Sequence, residues 1–232
     1  MPDPLLELRE VRAGYAEAVV LDGVSLTLPA GGSLAVLGRN GVGKTTLLLT
    51  IMGFVTLLRG SVWLSGTDIS RVAPHRRAQL GVGWVPQERD IFPSLSVEEN
   101  LTVAARPGRW DLGAVFGLFP RLKERRTNMG NQLSGGEQQM LTISRALMTN
   151  PDLILLDEAT EGLAPMAREV IWETLRLVAA SGVAIVVVDK NLEDLFELAS
   201  RHVILSKGTV VFEGPTEALR GDQELIHRTL GV

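Results

Sequence analysis

Two kinds of hydrophobic pattern alternate along the chain. Short apolar runs such as 153–156 and 184–188 contain no polar alternation, which is typical of parallel strands covered on both faces. Segments with apolar residues at helical spacing follow them, which predicts an α/β fold with a parallel sheet. Strands are predicted at Leu5–Arg9, Val19–Leu28, Ser33–Leu37, Gly60–Leu64, Gly81–Pro86, Leu153–Leu156, Val183–Val188, Val203–Leu205 and Val210–Glu213.

The predicted helices concentrate in two places. Residues 87–150 form a helical block inserted into the β-rich core, and Ser96 with Glu99 is a capping box that starts its first helix. The strands before this block predict an antiparallel β element at the N-terminus. Gly60–Leu64 and Gly81–Pro86 are predicted to be short and buried. Helices are predicted at Leu47–Met52, Ser96–Leu101, Asp111–Leu122, Gly135–Met148, Pro165–Ala179 and Asn191–Ala199, with a helical tail.

Composition narrows the classes of function. The 232 residues carry a net charge of −4, so we expect no nucleic-acid partner, because such surfaces are usually basic. The absence of cysteine excludes disulfides, thiol catalysis and cysteine-ligated metal. The start, Met1-Pro2-Asp3-Pro4, predicts no signal peptide, and no apolar run is long enough to span a bilayer. Membrane association is therefore expected only through a partner.

The segment after the strand Ser33–Leu37 carries the clearest chemistry. It reads Gly38-Arg39-Asn40-Gly41-Val42-Gly43-Lys44-Thr45-Thr46 and fits the phosphate-binding pattern G-x-x-x-x-G-K-[ST]. Glycines allow backbone N–H groups to surround an anion, and the following helix adds its positive end. Lys44 is predicted to reach the β- and γ-phosphates, and Thr45 to hold Mg²⁺. The alternative, a glycine-rich turn without function, is disfavoured by the strand and helix around it.

Two acids follow another buried strand. Asp157 and Glu158 come directly after Leu153–Leu156, and ligands of α/β sheets lie at the carboxyl ends of strands. Asp157 is predicted to hold Mg²⁺ through water, and Glu158 to polarise the attacking water as a general base. The alternative is that one acid only caps the following turn.

A third segment, Leu133–Gln139, begins a helix. Ser134 is its predicted N-cap, and Glu137 completes a capping box. Gly135 and Gly136 leave the first amides uncovered, as in anion sites at helix N-termini. Spacing alone does not separate such a site from an ordinary capped helix, and both interpretations stay open on these residues.

Together these segments resemble a family. Gly38–Thr46, Leu133–Gln139 and Leu153–Glu158 are similar, in this order, to the three defining motifs of ABC-transporter ATPases. The resemblance implies a P-loop NTPase (RecA-like) parallel-sheet core with an N-terminal antiparallel β subdomain and an inserted helical subdomain. It also implies one nucleotide-binding domain over 1–232, with a core of 1–86 and 151–232 and a helical subdomain of 87–150. ATP would lie between the phosphate loop of one subunit and Ser134, Gly135 and Gly136 of the other.

The resemblance extends to two single residues. Tyr15, the only tyrosine, matches the aromatic residue that stacks on adenine. Gln87 matches the glutamine that contacts the metal and the attacking water. The plainer alternatives are a partly buried aromatic residue for Tyr15 and a polar loop residue for Gln87.

The chain departs from the family pattern at two positions. Ala164 replaces an aspartate in the loop 159–165. Lys190 stands where a histidine contacts the γ-phosphate in other members. A lysine can neutralise phosphate charge, but it cannot share a proton near neutral pH. The alternative is that Lys190 is only a solvated lysine at the start of a helix.

Several segments narrow the resemblance to the smaller ATP-binding subunit of branched-chain amino acid type importers. That subgroup implies ATP and Mg²⁺, a homo- or heterodimer with a second ABC ATPase subunit, membrane permease subunits and, indirectly, a solute-binding protein. It places the chain at the cytoplasmic face of the bacterial inner membrane, with amino acids, urea or amides as solutes. The segments are Pro86–Leu101, Arg121–Arg126, Leu133–Met140, Glu161–Pro165 and Leu230–Val232.

Two other functions compete with import. An ABC ATPase that acts on DNA carries a long coiled coil between the phosphate loop and the second motif, and one that acts on ribosomes carries two cassettes. The block 87–150 is too compact for the first and the chain too short for the second. A non-catalytic, ATP-dependent interaction module is suggested by Lys190 and opposed by Glu158.

Overall fold

The computed structural model describes residues 4–16 and 18–231, so Met1–Asp3 and Val232 of the segments above lie outside the described residues. The strands are β1 Leu6–Tyr15, β2 Ala18–Leu28, β3 Ser33–Leu37, β4 Thr56–Leu64, β5 Thr67–Asp68, β6 Val82–Val85, β7 Leu153–Asp157, β8 Ala184–Val188, β9 Arg201–Ser206 and β10 Thr209–Pro215. The helices are α1 Lys44–Met52, α2 Pro74–Gln79, α3 Val97–Thr102, α4 Leu112–Leu118, α5 Pro120–Glu124, α6 Gly135–Leu147, α7 Pro165–Ala180, α8 Leu192–Leu198, α9 Thr216–Arg220 and α10 Gln223–Leu230.

The strands form two sheets. Six strands in the order β10-β9-β3-β8-β7-β6 make the larger sheet, in which only β10 is antiparallel to its neighbour. Four strands in the order β2-β1-β4-β5 make an antiparallel sheet. The α/β prediction, with a parallel core and an antiparallel β element near the N-terminus, is confirmed.

The larger sheet is covered on both faces. Alternate residues of its central strands enter two separate hydrophobic clusters, so Leu153 and Leu155 pack on one side while Ile154 and Leu156 pack on the other. The first side meets α1 and the antiparallel sheet, and the second meets α6 and α7. This double coverage is the reason that the core strands read as continuous apolar runs.

The topology brings four strand ends to one edge. β3, β8, β7 and β6 are neighbours and run parallel, so their carboxyl ends point the same way. The residues that follow them are Gly38, Asp189, Glu158 and Pro86. The phosphate-binding loop, the position of Lys190, the acids and Gln87 therefore meet at this edge.

The strand predicted at Gly60–Leu64 is longer and less buried than expected. β4 spans Thr56–Leu64, and only Val62 and Leu64 of it are buried. The reason is that β4 belongs to the antiparallel sheet, in which one face remains open to solvent. β1 likewise continues beyond the predicted Arg9 to Tyr15, through an irregularity at Glu10, whose φ is +47°.

The helix predicted at Asp111–Leu122 is two helices. α4 ends at Leu118, and α5 starts at Pro120. Phe119 between them has φ −127° and ψ 77°, because a residue before proline is driven out of the helical region. The short elements α2 and β5 were not predicted, although Pro74 at the first position of α2 is a helix-start signal.

The segment 87–150 contains α3 to α6 and a 3-10 helix at Gly130–Gln132. Both predicted capping boxes are present, at Ser96 with Glu99 and at Ser134 with Glu137. Over the described ranges 4–16 and 18–231, no helix combines the length and hydropathy that crossing a bilayer requires.

Candidate active site

The phosphate-binding loop needs its glycines. Gly38, Gly41 and Gly43 have φ values of 143°, 79° and 110°, which side chains rarely tolerate. A Cβ on Gly38 would lie 2.5 Å from the carbonyl oxygen of Leu205, and a Cβ on Gly43 would lie 2.9 Å from Cδ2 of Leu21. The loop is therefore held in a shape that only glycine permits, and α1 begins directly after it.

Lys44 occupies the centre of this loop. Its Nζ donates to the carbonyl oxygens of Gly38 and Arg39, at 2.8 and 3.1 Å. Burial lowers the pKa of Lys44, and the carboxylates of Glu158 and Asp157 oppose this shift. A phosphate would supply the negative charge that two neutral carbonyls provide only in part, so the lysine is placed for an anion.

Asp157 is the last residue of β7 and is buried. Burial raises the pKa of its carboxyl group, while the nearby side chain of Thr45 and the charge of Lys44 lower it. Its Oδ1 has no hydrogen-bond partner among the described residues. A buried carboxylate oxygen with an unmet acceptor, beside a threonine hydroxyl, is a donor set that suits Mg²⁺.

Glu158 stands at the turn out of the same strand. Its φ is +46°, and its amide donates to the carbonyl oxygen of Val188 at 2.8 Å, which ties the turn to the end of β8. The side chain is 12% exposed and lies with Oε2 3.5 Å from Nε2 of Gln87. Burial raises the pKa of its carboxyl group, and the neighbouring Glu161 adds to this effect. A carboxylate with a raised pKa is better suited to accept a proton from water.

Glu161 is a site residue that the sequence analysis missed. Its Oε2 accepts a hydrogen bond from Nε2 of Gln87 at 2.7 Å, and its Oε1 pairs with Nζ of Lys190. Lys190 lies 3.3 Å from Oε2 of Glu158 as well. The pairing with Lys190 is the main reason that the pKa of Glu161 falls to about 2. The sequence held a signal, since an acid stands in the divergent loop 159–165 and a lysine at the divergent switch position.

Most of these residues line one cavity of about 360 Å³, but Gly38 and Asp157 are not part of its lining. Phosphate-loop residues form one wall, and the residues after β6, β7 and β8 form the other. A neighbouring cavity of about 550 Å³ includes Gly38, Arg39, Asn40, Lys44 and Lys190. The lining residues of the first cavity are Val20, Asn40, Gly41, Gly43, Lys44, Thr45, Thr46, Gln87, Glu158, Glu161 and Lys190.

The start of α6 lies apart from this cavity. Glu137 Oε2 accepts from the amide of Ser134 at 2.8 Å, and the amide of Glu137 donates to Ser134 Oγ at 3.4 Å. A Cβ on Gly136 would lie 2.8 Å from Cβ of Ala167, so packing against α7 also requires this glycine. Within ranges 4–16 and 18–231, neither cavity described above is lined by Ser134, Gly135 or Gly136.

Tyr15 ends β1 and is 48% exposed, which leaves its ring open for stacking. It pairs with Ala18 across a tight hairpin, where a Cβ on Gly14 would lie 1.9 Å from the carbonyl oxygen of Ala18. Tyr15 is not part of the cavity lining, but Val20, on the adjoining β2, is. Because a side chain that is 48% exposed is also partly buried, this exposure fits both interpretations of Tyr15.

Known proteins resemble the chain over 94% to 98% of its length. The branched-chain amino acid transport ATP-binding protein BraG of Pseudomonas aeruginosa is 34% identical over 98% of this chain and 100% of that protein. LivF of Archaeoglobus fulgidus, named for the same transport, is 32% identical over 98% and 99%. The Nod factor export ATP-binding protein I of Cupriavidus pinatubonensis is 36% identical over 94% of this chain and 69% of that protein.

Solved structures agree on the fold. A nucleotide-free ATP-binding cassette from an ABC transporter superposes with a TM-score of 0.84 at 24% identity, over 97% of this chain and 98% of that one. An ATP-binding subunit of an ABC transporter gives 0.83 at 26% identity, over 98% and 96%. The sequence profile described as ABC transporter matches residues 21–161. The chain therefore belongs to the ABC transporter family and is one of its ATP-binding cassettes.

Proposed function

We propose that this chain is the ATP-hydrolysing subunit that powers a bacterial importer of branched-chain amino acids or related small solutes, such as other amino acids, urea or amides. The observation that carries the proposal is the single cavity shared by Lys44, Gln87 and Glu158 at one sheet edge. The full-length relatives named for branched-chain amino acid transport support the solute class.

The residues divide the work on ATP. The loop Gly38–Thr46 binds the phosphates with its amides and with Lys44, and Tyr15 stacks on the adenine. Glu158 accepts a proton from the attacking water, which Gln87 helps to orient, and Lys190 neutralises charge that develops on the γ-phosphate.

Mg²⁺ fits the same edge. Thr45, Gln87 and Asp157 would hold the ion, with Asp157 acting through water, and the unmet Oδ1 of Asp157 supports this assignment. Bound Mg²⁺ supplies neutralisation of the β- and γ-phosphate oxygens.

The separation of α6 from the cavity supports a composite site. Ser134, Gly135 and Gly136 serve the ATP bound by an opposite subunit, which is either a second copy or a related ATPase. The chain works as one nucleotide-binding domain with a core of 1–86 and 151–232 and a helical subdomain of 87–150. It acts at the cytoplasmic face of the inner membrane, bound to permease subunits, and a solute-binding protein delivers the solute.

Solute uptake in the source bacterium tests this function. Deleting the chain should lower the uptake of radiolabelled leucine, or of a labelled amide, at least about 10-fold, because transport then lacks its ATPase. The wild-type chain should restore uptake, and Glu158→Gln should not. A deletion that leaves the uptake of every tested amino acid, urea and amide unchanged would contradict the importer assignment and favour export, as in the Nod factor relative.

A further inference from the structure

Glu161 contacts two residues of the proposed mechanism, Gln87 and Lys190, but that mechanism gives Glu161 no role. One of its carboxylate oxygens accepts from Gln87 at 2.7 Å, and the other pairs with Lys190. All three residues line the cavity beside the phosphate loop. Glu161 therefore makes the shorter contact with both the amide and the ammonium group. Glu158, by contrast, lies 3.5 Å from Gln87 and 3.3 Å from Lys190.

The two loops that carry this contact are fixed to each other. The buried Asp189 accepts from the hydroxyl of Thr160 at 2.7 Å and from the amide of Lys190 at 2.7 Å. Thr160 directly precedes Glu161, so one carboxylate ties the loop after β7 to the loop after β8. The backbones of the two loops are therefore held together, whereas the exposed side chains of Glu161 and Lys190 can still rotate.

The ion pair of Glu161 with Lys190 is weak enough for Lys190 to exchange this carboxylate for a phosphate group. Lys190 is 52% exposed and Glu161 42% exposed, and an ion pair in such contact with solvent shifts an equilibrium only about two- to five-fold. A lysine ammonium on a four-carbon stem can turn to a new anion without backbone movement. A phosphate group that enters the same cavity would offer more negative charge than one carboxylate.

We propose that Glu161 is a positioning residue that holds Lys190 and Gln87 away from the phosphate site until the γ-phosphate of ATP displaces it. The inference rests on the proposed function and adds that Glu161 and the γ-phosphate compete for Lys190 and Gln87. Lys190 then distinguishes ATP from ADP, because ADP lacks the terminal phosphate that displaces Glu161 in this proposal. The strength of the Glu161 contact sets how well the site separates ATP from ADP.

Equilibrium binding of two nucleotides tests the competition. The β,γ-imido analogue of ATP and ADP, each with Mg²⁺, are titrated against the wild type, Glu161→Gln, Lys190→Met and the double variant. Glu161→Gln should tighten binding of the imido analogue about two- to five-fold and change ADP affinity less than about two-fold. In the Lys190→Met background, Glu161→Gln should leave the affinity ratio of the two nucleotides unchanged.

A matched control removes the same charge elsewhere. Glu169 is exposed on α7 and belongs to no ion pair in the part of the chain that is described, so Glu169→Gln should not change the ratio. The proposal is overturned if Glu161→Gln changes the affinity for both nucleotides equally or weakens binding of the imido analogue. It is equally overturned if Glu161→Gln changes the affinity ratio as much in the Lys190→Met background as in the wild type. It is also overturned if Glu169→Gln has the same effect.

Lys44→Met separates this proposal from the proposed function. One outcome is that Lys44→Met loses nucleotide affinity while Glu161→Gln and Lys190→Met act independently on the affinity ratio. In that case the ATP site stands, and only the proposed competition between Glu161 and the γ-phosphate is wrong. If the wild type binds neither nucleotide, or if Lys44→Met binds as well as the wild type, the proposed ATP site is wrong as well, and the competition with it.

Discussion

Replacing Glu158 with glutamine should abolish ATP turnover while ATP remains bound. Glutamine keeps the size and hydrogen-bonding ability of the side chain but cannot accept the proton of the attacking water. Loss of a general base typically costs a factor of about 10² to 10⁴, so kcat should fall at least about 100-fold. Steady-state phosphate release and ATP binding, measured on the same preparation, check both halves of this expectation.

The control for this variant is Glu173→Gln, an exposed position on α7. It removes one carboxylate from the surface and should leave phosphate release within about two-fold of the wild type. Turnover by Glu158→Gln within about 10-fold of the wild type would mean that another group accepts the proton, and the role given to Glu158 would be wrong.

Replacing Lys44 with methionine should weaken ATP binding strongly. The ammonium is buried at the centre of the phosphate loop and already donates two hydrogen bonds there. Charge-assisted hydrogen bonds are worth about 1.5 to 3 kcal/mol, which corresponds to about 10- to 150-fold in affinity. Titration of ATP with Mg²⁺ measures the loss, and thermal unfolding checks that the fold survives.

Lys123→Met is the matched control, because Lys123 is exposed on α5. It should bind ATP like the wild type. A Lys44→Met variant that is folded and keeps the wild-type affinity would show that the cavity beside Gly38–Thr46 is not the phosphate site.

Local signals predicted the framework of the site. The glycine pattern of Gly38–Thr46, the two capping boxes and the apolar run before Asp157 act over a few residues, and each has the predicted local structure. The family that these motifs indicated is confirmed by the comparisons. The roles of the individual site residues stay predictions until they are measured.

Contacts between distant loops could not be predicted in this way. Glu161 and Lys190 are separated by 29 positions, and Gln87 and Glu161 by 74. These contacts exist because β6, β7 and β8 are neighbours in the sheet, an order that no local pattern encodes. The low burial of β4 could not be predicted for a similar reason, since its exposed face follows from its position in the antiparallel sheet.

The most direct test of the account is the mass of the Glu158→Gln variant in solution with ATP and Mg²⁺, measured by light scattering. A composite site that needs Ser134, Gly135 and Gly136 of an opposite subunit makes ATP the bridge between two chains. We expect the 25.1 kDa chain to form a dimer with ATP and to return to a monomer with ADP. The measurement is made in two settings, with the chain alone and with the chain mixed with its companion ATPase. A chain that binds ATP yet stays monomeric in both settings would contradict the central claim.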